Sequence, residues 1–550
     1  MDNKYAISIV LNANLPFVKK FTAPPRRLFS QEENESVVIE SEQHYDLPES
    51  VEESWFFEAL SETYLPLLGM FSRLEGEHIP FRLGLSISPV FAQMLSDDLL
   101  IRKYASYLDH QIEFGMQELE RVKGNPQVRL LAQRYFDQAV DRRALFITRY
   151  DGNIIKAFDY YRKKRNIEFL ATTATPAFLP FLCPFPEAVQ GQIEVALSYY
   201  RHSLGISPPG FWLPDLGWTK ELDCFFRSYG FNYTITDSHG FIYGDPPPSR
   251  GTFFPVKTPQ SLFVLSRDFN ACADIAEMQK ADIYRDNNRD IGYELPVEVL
   301  GSFLSQSGAR FGTGFKYWKG ANGNQGELYD PDAALGLAKE HARTFLESCY
   351  NRLADASQHM QEQPLTLCAF NADNFGRKWH EGPMFLEAVF RFASRYRELA
   401  FTTPSEYLSR QKPSSFQTSL PEFSSWGENG YGEVWLDASN DWIYRHLNRS
   451  IERMVELSEK FSENSSLKER ALNQAAREIL LAQASDWPAF LYRQESTGYA
   501  RSQVENSLHN FSTIYEALGS SHISTEWLTS LERQHNIFPN INYRVFRRKR

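Results

Sequence analysis

The chain has 550 residues, of which 42% are hydrophobic and 23% charged, and its formal net charge is −11. A chain of this length and composition can bury a large core, which excludes wholesale disorder. The acidic balance disfavours nucleic acid as a partner, because binding to phosphates needs clustered Lys and Arg. The aromatic content of 14% fits either additional core packing or a ligand that is recognised by flat apolar faces.

The cysteines and the apolar runs indicate the cellular compartment of the protein. The five cysteines are scattered without a CxxC pair, which predicts free thiols in a reducing compartment and no zinc site. No apolar run approaches about 18 residues, so we expect no membrane-spanning helix. The apolar run at 6–11 is too short for a signal-peptide core. The cytoplasm is therefore the expected location.

Short β-rich runs alternate with helical periodicity through the first three quarters of the chain. The predicted strands lie at 5–11, 82–87, 167–172, 231–236, 261–265 and 365–370. Such alternation predicts βα units and a parallel sheet or barrel. Residues 95–165 are charged and helix-periodic, which predicts a helical insertion. Residues 244–260, with three consecutive prolines, and the glycine-rich residues 319–326 are predicted to be loops.

A polar segment with two prolines at 409–425 predicts a domain boundary. Beyond it, amphipathic patterns at 440–462, at 466–485 and at about 500–517 predict an all-helical unit. We therefore expect an α/β domain over 1–410 and an all-α domain over 420–550.

Two aspartates follow predicted strand ends, which is where a parallel barrel carries its functional groups. Asp215 and Asp373 form a possible carboxylate pair of the kind that cleaves a glycosidic bond. Taken alone, their positions favour structural roles, with Asp215 as a helix cap and Asp373 in a turn. The neighbouring aromatics, including Trp212, suit sugar stacking and a hydrophobic barrel rim equally well.

Several long segments carry a resemblance to a known family. They include PPGFWLPDLGW at 208–218, TDSHGF at 236–241, SSWGENGYGEVWLDASNDWIYRHL at 424–447, RALNQAAREILLAQASDWPAF at 470–490 and NIFPNINYRVF at 536–546. Over nearly its whole length the chain resembles the family 57 glycoside hydrolases of the α-1,4-glucan branching enzyme type. The resemblance implies an incomplete (β/α)7 barrel with a helical insertion and an all-α C-terminal domain. It also implies an α-glucan partner and a retaining double displacement without metal or cofactor.

The positions that carry this chemistry are substituted. The resemblance places the nucleophile at Asp215, where the family has Glu, and the acid/base at Asn371, where the family has Asp. Asn12 and Asn14 stand at two histidine positions of the family. A misplacement by about 1 Å can cost ~100-fold in rate, and acid/base catalysis is commonly worth about 10²–10⁴-fold. In an extended segment Asp373 would point to the same side as Asn371, which makes it a possible substitute acid/base.

Parts of the glucan surface match the family. Trp426 and Trp435 stand where the family has tryptophans that line the acceptor side, and His239 is retained. A core role at the domain interface is equally open for either tryptophan. Trp212 and Trp318 are further candidates for the wall of a glucan groove.

Three interpretations follow from these residues. In the first, the protein is an α-glucan-binding homologue of the branching enzymes whose catalysis is lost or strongly reduced. In the second, it is an active enzyme with Asp215 as nucleophile and Asp373 as substitute acid/base. In the third, it is an interaction protein that keeps the fold and binds no glucan. The sequence does not indicate an oligomeric state.

Overall fold

The computed structural model describes residues 4–19, 48, 50–301, 303–304, 308, 310–320, 326–461, 465–520 and 522–549. Most of the predicted glycine-rich loop, at 321–325, lies outside these residues. The described strands are β1 Tyr5–Ala13, β2 Leu83–Ile87, β3 Ile167–Leu170, β4 Gly210–Phe211, β5 Tyr233–Thr236, β6 Val256–Lys257, β7 Phe263–Ser266, β8 Leu365–Asn371 and β9 Leu399–Phe401. All six predicted strands are confirmed, as β1, β2, β3, β5, β7 and β8.

The strands form the predicted incomplete barrel. Strands β3, β2, β1 and β8 are parallel neighbours in that order, and β9 pairs with the start of β1. Strands β4, β5 and β7 form a second parallel run with β6 antiparallel at its edge. The runs meet where the Ala171 amide donates to the Gly210 carbonyl at 2.9 Å. On the other side, the Asp268 amide after β7 donates to the Leu367 carbonyl of β8 at 2.7 Å.

The barrel strands bury both of their faces, as parallel strands covered by helices do. In β1, Ile7, Ile9 and Leu11 belong to the large core between strands and helices. The alternate residues Ala6 and Val10 belong to a separate core inside the barrel. This alternation explains why the strand sequence reads as a continuous apolar run.

Helices cover the outside of the barrel. They are α1 Val51–Ala59, α2 Leu65–Gly76, α3 Pro89–Met94, α4 Asp98–Arg121, α5 Pro126–Arg143, α6 Ile154–Lys163, α7 Leu179–Leu182, α8 Pro186–Leu204, α9 Leu222–Ser228, α10 Ser238–Ile242, α11 Phe269–Met278, α12 Ile291–Glu294, α13 Val297–Leu300, α14 Pro331–Ser357, α15 Gly382–Ala393 and α16 Pro404–Arg410. Helices α4 to α6 confirm the predicted insertion. They begin at side-chain caps on Asp97, Asn125 and Asn153, which accept hydrogen bonds from backbone amides.

The C-terminal unit is all-helical, as predicted. It contains α17 Trp442–Lys460, α18 Ser466–Ala482, α19 Asp486–Arg493, α20 Thr497–Ser520 and α21 Thr525–Gln534. Helices α17, α18 and α20 confirm the three predicted helices, whereas the sequence patterns did not predict α19 and α21. Within the described parts of the chain, no helix combines the length and apolarity needed to cross a bilayer.

The final segment of the chain fastens the helical unit to the barrel. Gln190 of α8 donates to the backbone carbonyls of Val545 and Arg547, at 2.5 and 3.0 Å. The Phe546 ring packs so closely on α8 that a Cβ at Gly191 would lie 2.9 Å from its Cζ. Glycine at this position therefore permits the close approach of the two units.

One loop prediction needs correction. Residues 244–260 are not wholly a loop, because Val256 and Lys257 form β6 directly after Pro255, at the sheet edge where a preceding proline costs no ladder hydrogen bond. The segment 409–425, where the sequence predicts a domain boundary, hydrogen-bonds to the barrel. The Lys257 amide donates to the Gln417 carbonyl at 2.9 Å, and the segment bridges further to Asp245.

Candidate functional site

The structure brings together two asparagines that the sequence predicted for one site. Asn12 in β1 and Asn371 at the end of β8 are direct partners in the parallel register. The Asn12 amide nitrogen donates to Asn371 Oδ1 at 3.0 Å. Both residues are half-buried at the carboxyl end of the barrel. Their hydrogen bond aligns two amide groups, neither of which exchanges a proton near neutral pH.

Asp215 occupies a strained turn after β4, in the other parallel run of the barrel. It lies after β4 in the 3₁₀ turn Pro214–Leu216, with φ 57° and ψ 20° in the left-handed region. Leu216 also has a positive φ of 50°. Left-handed conformations of non-glycine residues concentrate at functional sites, where surrounding contacts maintain them. Asp215 therefore does not cap a long helix, which was the structural role that its position alone favoured.

The Asp215 carboxylate is held by two donors from the C-terminal part of the chain. The Trp426 indole nitrogen donates to Oδ1 at 3.1 Å, and the Ser485 hydroxyl donates to Oδ2 at 2.6 Å. The Trp426 backbone amide also donates to the Asp215 carbonyl, at 2.9 Å. Burial raises the pKa of Asp215, while the hydrogen bonds from Ser485 and Trp426 and the charge of Arg493 oppose that shift.

Ser485 is itself fixed by the loop that follows β3. Its backbone amide donates to the Pro176 carbonyl at 2.6 Å. Next to it, the Thr175 hydroxyl donates to the Leu480 carbonyl at 2.7 Å, and Gln192 donates both to Thr175 Oγ1 and to Gln483. The barrel therefore determines where the start of α19 lies.

Asp486, the first residue of α19, is a site residue that the sequence reasoning missed. Its Oδ2 is buried without a hydrogen-bond partner among the described residues. Burial and the nearby charge of Asp215 raise the pKa of Asp486 to about 7, against hydrogen bonds from its own amide and from Asn14 and the charge of Arg493. The segment 470–490 carries part of the family resemblance, but a site contact across about 270 residues of chain leaves no local pattern.

Asn14 joins the same cluster from the end of β1. Its Oδ1 accepts a hydrogen bond from the Ser88 hydroxyl at 2.7 Å. Its side chain also helps to lower the pKa of the Asp486 carboxyl. Asn14 therefore faces the C-terminal helices, whereas Asn12 faces β8.

Asp373 does not have the geometry that was expected of a substitute acid/base. Strand β8 ends at Asn371, and Ala372–Asn374 form a 3₁₀ turn, so the strand-like alternation that would align residues 371 and 373 does not continue. Arg377 donates to Asp373 Oδ2 from Nε at 3.0 Å and from a terminal nitrogen at 2.6 Å. The other oxygen, Oδ1, is buried without a hydrogen-bond partner in the described structure.

His239 holds the loop that carries Trp426. Its Nε2 lies 2.8 Å from the Gly430 carbonyl, and its Nδ1 lies 3.5 Å from Asp237. The Asp237 carboxylate raises the pKa of His239. Gly430 has φ +83°, and a Cβ there would lie 2.6 Å from His239 Cε1. His239 therefore stabilises the loop that contains Gly430 and Trp426.

The four predicted tryptophans have different surroundings. Trp426 is half-buried, and its ring meets the edge of Trp212 at 5.7 Å. Trp212 and Trp435 are only 0% and 1% exposed, and Trp435 stacks on Phe178 at 4.7 Å. The predicted stacking of these two rings on a sugar is therefore corrected, since neither has an exposed face. Trp318 is covered by the Arg289 guanidinium at 4.4 Å.

A cavity of about 580 Å³ lies beside Arg377, the residue that donates hydrogen bonds to Asp373. Arg377 and Lys378 line it together with aromatic and polar side chains: Trp55, Tyr107, Tyr284, Tyr293, Trp379, Glu58, Arg285, Asp286 and Asn287. Aromatic faces among hydrogen-bonding groups suit a sugar chain. No group of three or more His, Cys, Asp or Glu side chains suited to a metal ion occurs among the residues with described positions.

Comparisons with known proteins identify matching family models in both units. The model described as glycosyl hydrolase family 57 matches residues 36–291. The model described as the C-terminal part of 1,4-alpha-glucan branching enzyme matches residues 446–546.

Individual relatives are similar over most of the chain. The alpha-amylase AmyC from Thermotoga maritima is 33% identical with a TM-score of 0.87, and the match covers 100% of both chains. A GH57-type branching enzyme from Pyrococcus horikoshii has a TM-score of 0.84 at 23% identity, with 100% of this chain and 97% of the other covered, which supports the fold. A 1,4-alpha-glucan branching enzyme from Thermococcus kodakarensis is 25% identical over 478 residues, which are 82% of this chain and 68% of the relative.

Proposed function

Because the chain belongs to glycoside hydrolase family 57, we propose that it binds an α-1,4-glucan at the carboxyl end of its barrel and transfers glucan chains at a strongly reduced rate. The substrate class rests on the relatives, which are named as 1,4-alpha-glucan branching enzymes and an alpha-amylase. The site supports it with hydrogen-bonding amides at Asn12 and Asn371 and the half-buried indole of Trp426.

The expected reduction in rate rests on one observation. Asn371, at the position of the family's acid/base, is an amide whose Oδ1 accepts a hydrogen bond from Asn12. An amide has no proton to give to a leaving sugar hydroxyl, and the lost proton transfer is commonly worth about 10²–10⁴-fold in rate. Asp215 nevertheless keeps the two donors that orient a nucleophilic carboxylate.

Glucan binding is tested by affinity electrophoresis in gels that contain glycogen. We expect the wild-type chain to be retarded and Trp426→Ala to lose most of the retardation. The matched control is Trp527→Ala, because Trp527 is also half-buried but lies on α21. Absence of retardation in the wild type would favour the interaction protein that keeps the fold without a glucan.

Chain transfer is tested on amylose by the loss of iodine staining and by the appearance of α-1,6 linkages. We expect weak turnover that exceeds the turnover of Asp215→Ala and lies about 10²–10⁴-fold below that of the Thermococcus relative. A rate equal to the relative's would contradict the proposed reduction. A rate equal to that of Asp215→Ala would show that binding alone remains.

A further inference from the structure

The helical C-terminal unit contributes one carboxyl, that of Asp486, to the site around Asp215. Asp486 begins α19, immediately after the Ser485 that donates to Asp215 Oδ2 at 2.6 Å. The Pro176 carbonyl fixes this point of the chain through the Ser485 amide at 2.6 Å. These two contacts of Ser485 hold the start of α19, where Asp486 follows, against the turn that carries Asp215.

The two carboxyls have opposite hydrogen-bond environments. Asp215 accepts bonds from Trp426 and Ser485, one on each oxygen, which stabilise its carboxylate form. Asp486 Oδ2 accepts none from the described residues and is buried. Two adjacent carboxyls whose surroundings differ in this way separate into a charged partner and a protonated one.

Charged and titratable groups face Asp486 from three elements. Asp215 comes from the turn after β4, Arg493 from α19 itself and Tyr499 from α20, while Asn14 at the end of β1 adds a neutral hydrogen bond. Burial and the charge of Asp215 raise the pKa of Asp486 to about 7, while Arg493 and Asn14 oppose that shift. An acid/base is most effective when its pKa is near the working pH.

We propose that Asp486 is the acid/base residue of this site, taking the role that the amide of Asn371 cannot perform. The inference rests on the proposed function, because it names the proton donor of the residual glucan transfer. Asp373 is the weaker candidate, because Arg377 donates two hydrogen bonds to its Oδ2, at 3.0 and 2.6 Å, and so favours its charged form.

With these two carboxyls, glucan transfer proceeds as a double displacement in which every proton and bond is accounted for. In the first step an Asp215 oxygen forms a bond to C1 of the donor glucosyl unit, and the C1–O4 bond breaks as O4 takes the proton of Asp486. In the second step the Asp486 carboxylate removes the proton of an acceptor 6-hydroxyl, whose oxygen bonds to C1 and releases Asp215. Both carboxyls return to their starting forms, and no other reactant is consumed.

The test measures the turnover of two glycosyl donors by the 550-residue chain. Amylose needs a proton on its leaving oxygen, whereas α-maltosyl fluoride leaves as fluoride without one, and azide attacks the glycosyl-enzyme without a base. For Asp486→Asn we expect amylose turnover to fall about 100-fold. We expect fluoride release in the presence of azide to stay within about threefold of wild type. Glu526→Gln is the matched control, an exposed carboxyl-to-amide change on α21.

The outcomes separate this inference from the proposed function. Equal losses with both donors, or no loss with amylose, would overturn the role of Asp486 while leaving glycogen retardation intact. Wild-type turnover of amylose no higher than that of Asp215→Ala would also overturn it.

A measurement on the wild type alone covers the case in which Asp486→Asn fails to fold. We expect kcat/KM for amylose to fall above pH about 7, the pKa of Asp486, and the azide reaction with the fluoride to lack that fall. The same alkaline fall with both donors would contradict the proposal.

Discussion

The hydroxyl of Ser485 in the helical C-terminal unit donates a hydrogen bond of 2.6 Å to Asp215 Oδ2 in the barrel. Asp215, the proposed nucleophile, is therefore bound by a residue 270 positions further along the chain. Because the Ser485 amide is bound in turn to Pro176, the contact is fixed by both units. The helical unit is consequently part of the site as well as part of the core.

Ser485→Ala removes the shorter of the two hydrogen bonds to the Asp215 carboxylate. A hydrogen bond to the charged form lowers a carboxyl pKa, so its loss raises the pKa of Asp215 further. Asp215 must be ionised to attack C1, and we therefore expect the acid limb of fluoride release from α-maltosyl fluoride to move to higher pH. The control is Ser520→Ala on an exposed helix end. An unmoved acid limb would show that the hydroxyl does not tune Asp215.

Trp426 combines two roles that separate on substitution. Its ring is half-buried beside the site, and its indole nitrogen donates to Asp215 Oδ1 at 3.1 Å. Trp426→Phe keeps an aromatic face but loses the donor, so we expect glycogen retardation to persist while turnover falls about tenfold, as for one hydrogen bond to a charged group. Trp426→Ala should lose both. Equal loss of retardation in the two variants would contradict a stacking role for the ring.

Much of the fold is encoded in local pattern. The apolar runs of β1 and β8 are readable because parallel strands bury both faces. Strand β4 spans only Gly210–Phe211, and β6 follows a proline, so neither shows a period that a sequence pattern can detect. Helix α19 is only eight residues long and has no side-chain cap, which explains why it was missed.

The site was predictable where strand register fixes it. Asn12 and Asn371 meet because the ends of neighbouring parallel strands share one edge, and that rule needs only sequence. The position of Asp486 depends on how the helical unit docks, which involves contacts between distant segments. Burial of Trp435 against Phe178 depends on the same docking.

Asn371→Asp places a titratable carboxyl at position 371, the proposed acid/base position. The variant fits the local geometry, because Asn12 donates to Oδ1 of residue 371 and a carboxylate oxygen accepts the same hydrogen bond. We expect amylose turnover to rise at least about tenfold, a part of the usual value of acid/base catalysis. The control is Asn371→Ser, which hydrogen-bonds but does not titrate near neutrality. A rise of amylose turnover in both variants would show that the changed shape of residue 371, and not the restored proton, causes the effect.

Asp486→Asn should alter the pH dependence of stability in a defined direction. Burial and Asp215 raise the pKa of Asp486 from 3.8 to about 7, so between these pH values the folded chain holds a proton that the unfolded chain has released. The free energy of unfolding of the wild type therefore falls with rising pH across this window, by at most about 4 kcal/mol. Asparagine resembles the protonated form and carries no such loss. We expect Asp486→Asn to raise Tm relative to wild type more at pH 8 than at pH 5, as measured by thermal unfolding at both values. Comparing the two chains at each pH cancels the titration of His239 and other groups. An equal Tm difference at both pH values would place the pKa of Asp486 near its ordinary value and remove the proton that the proposed acid/base needs.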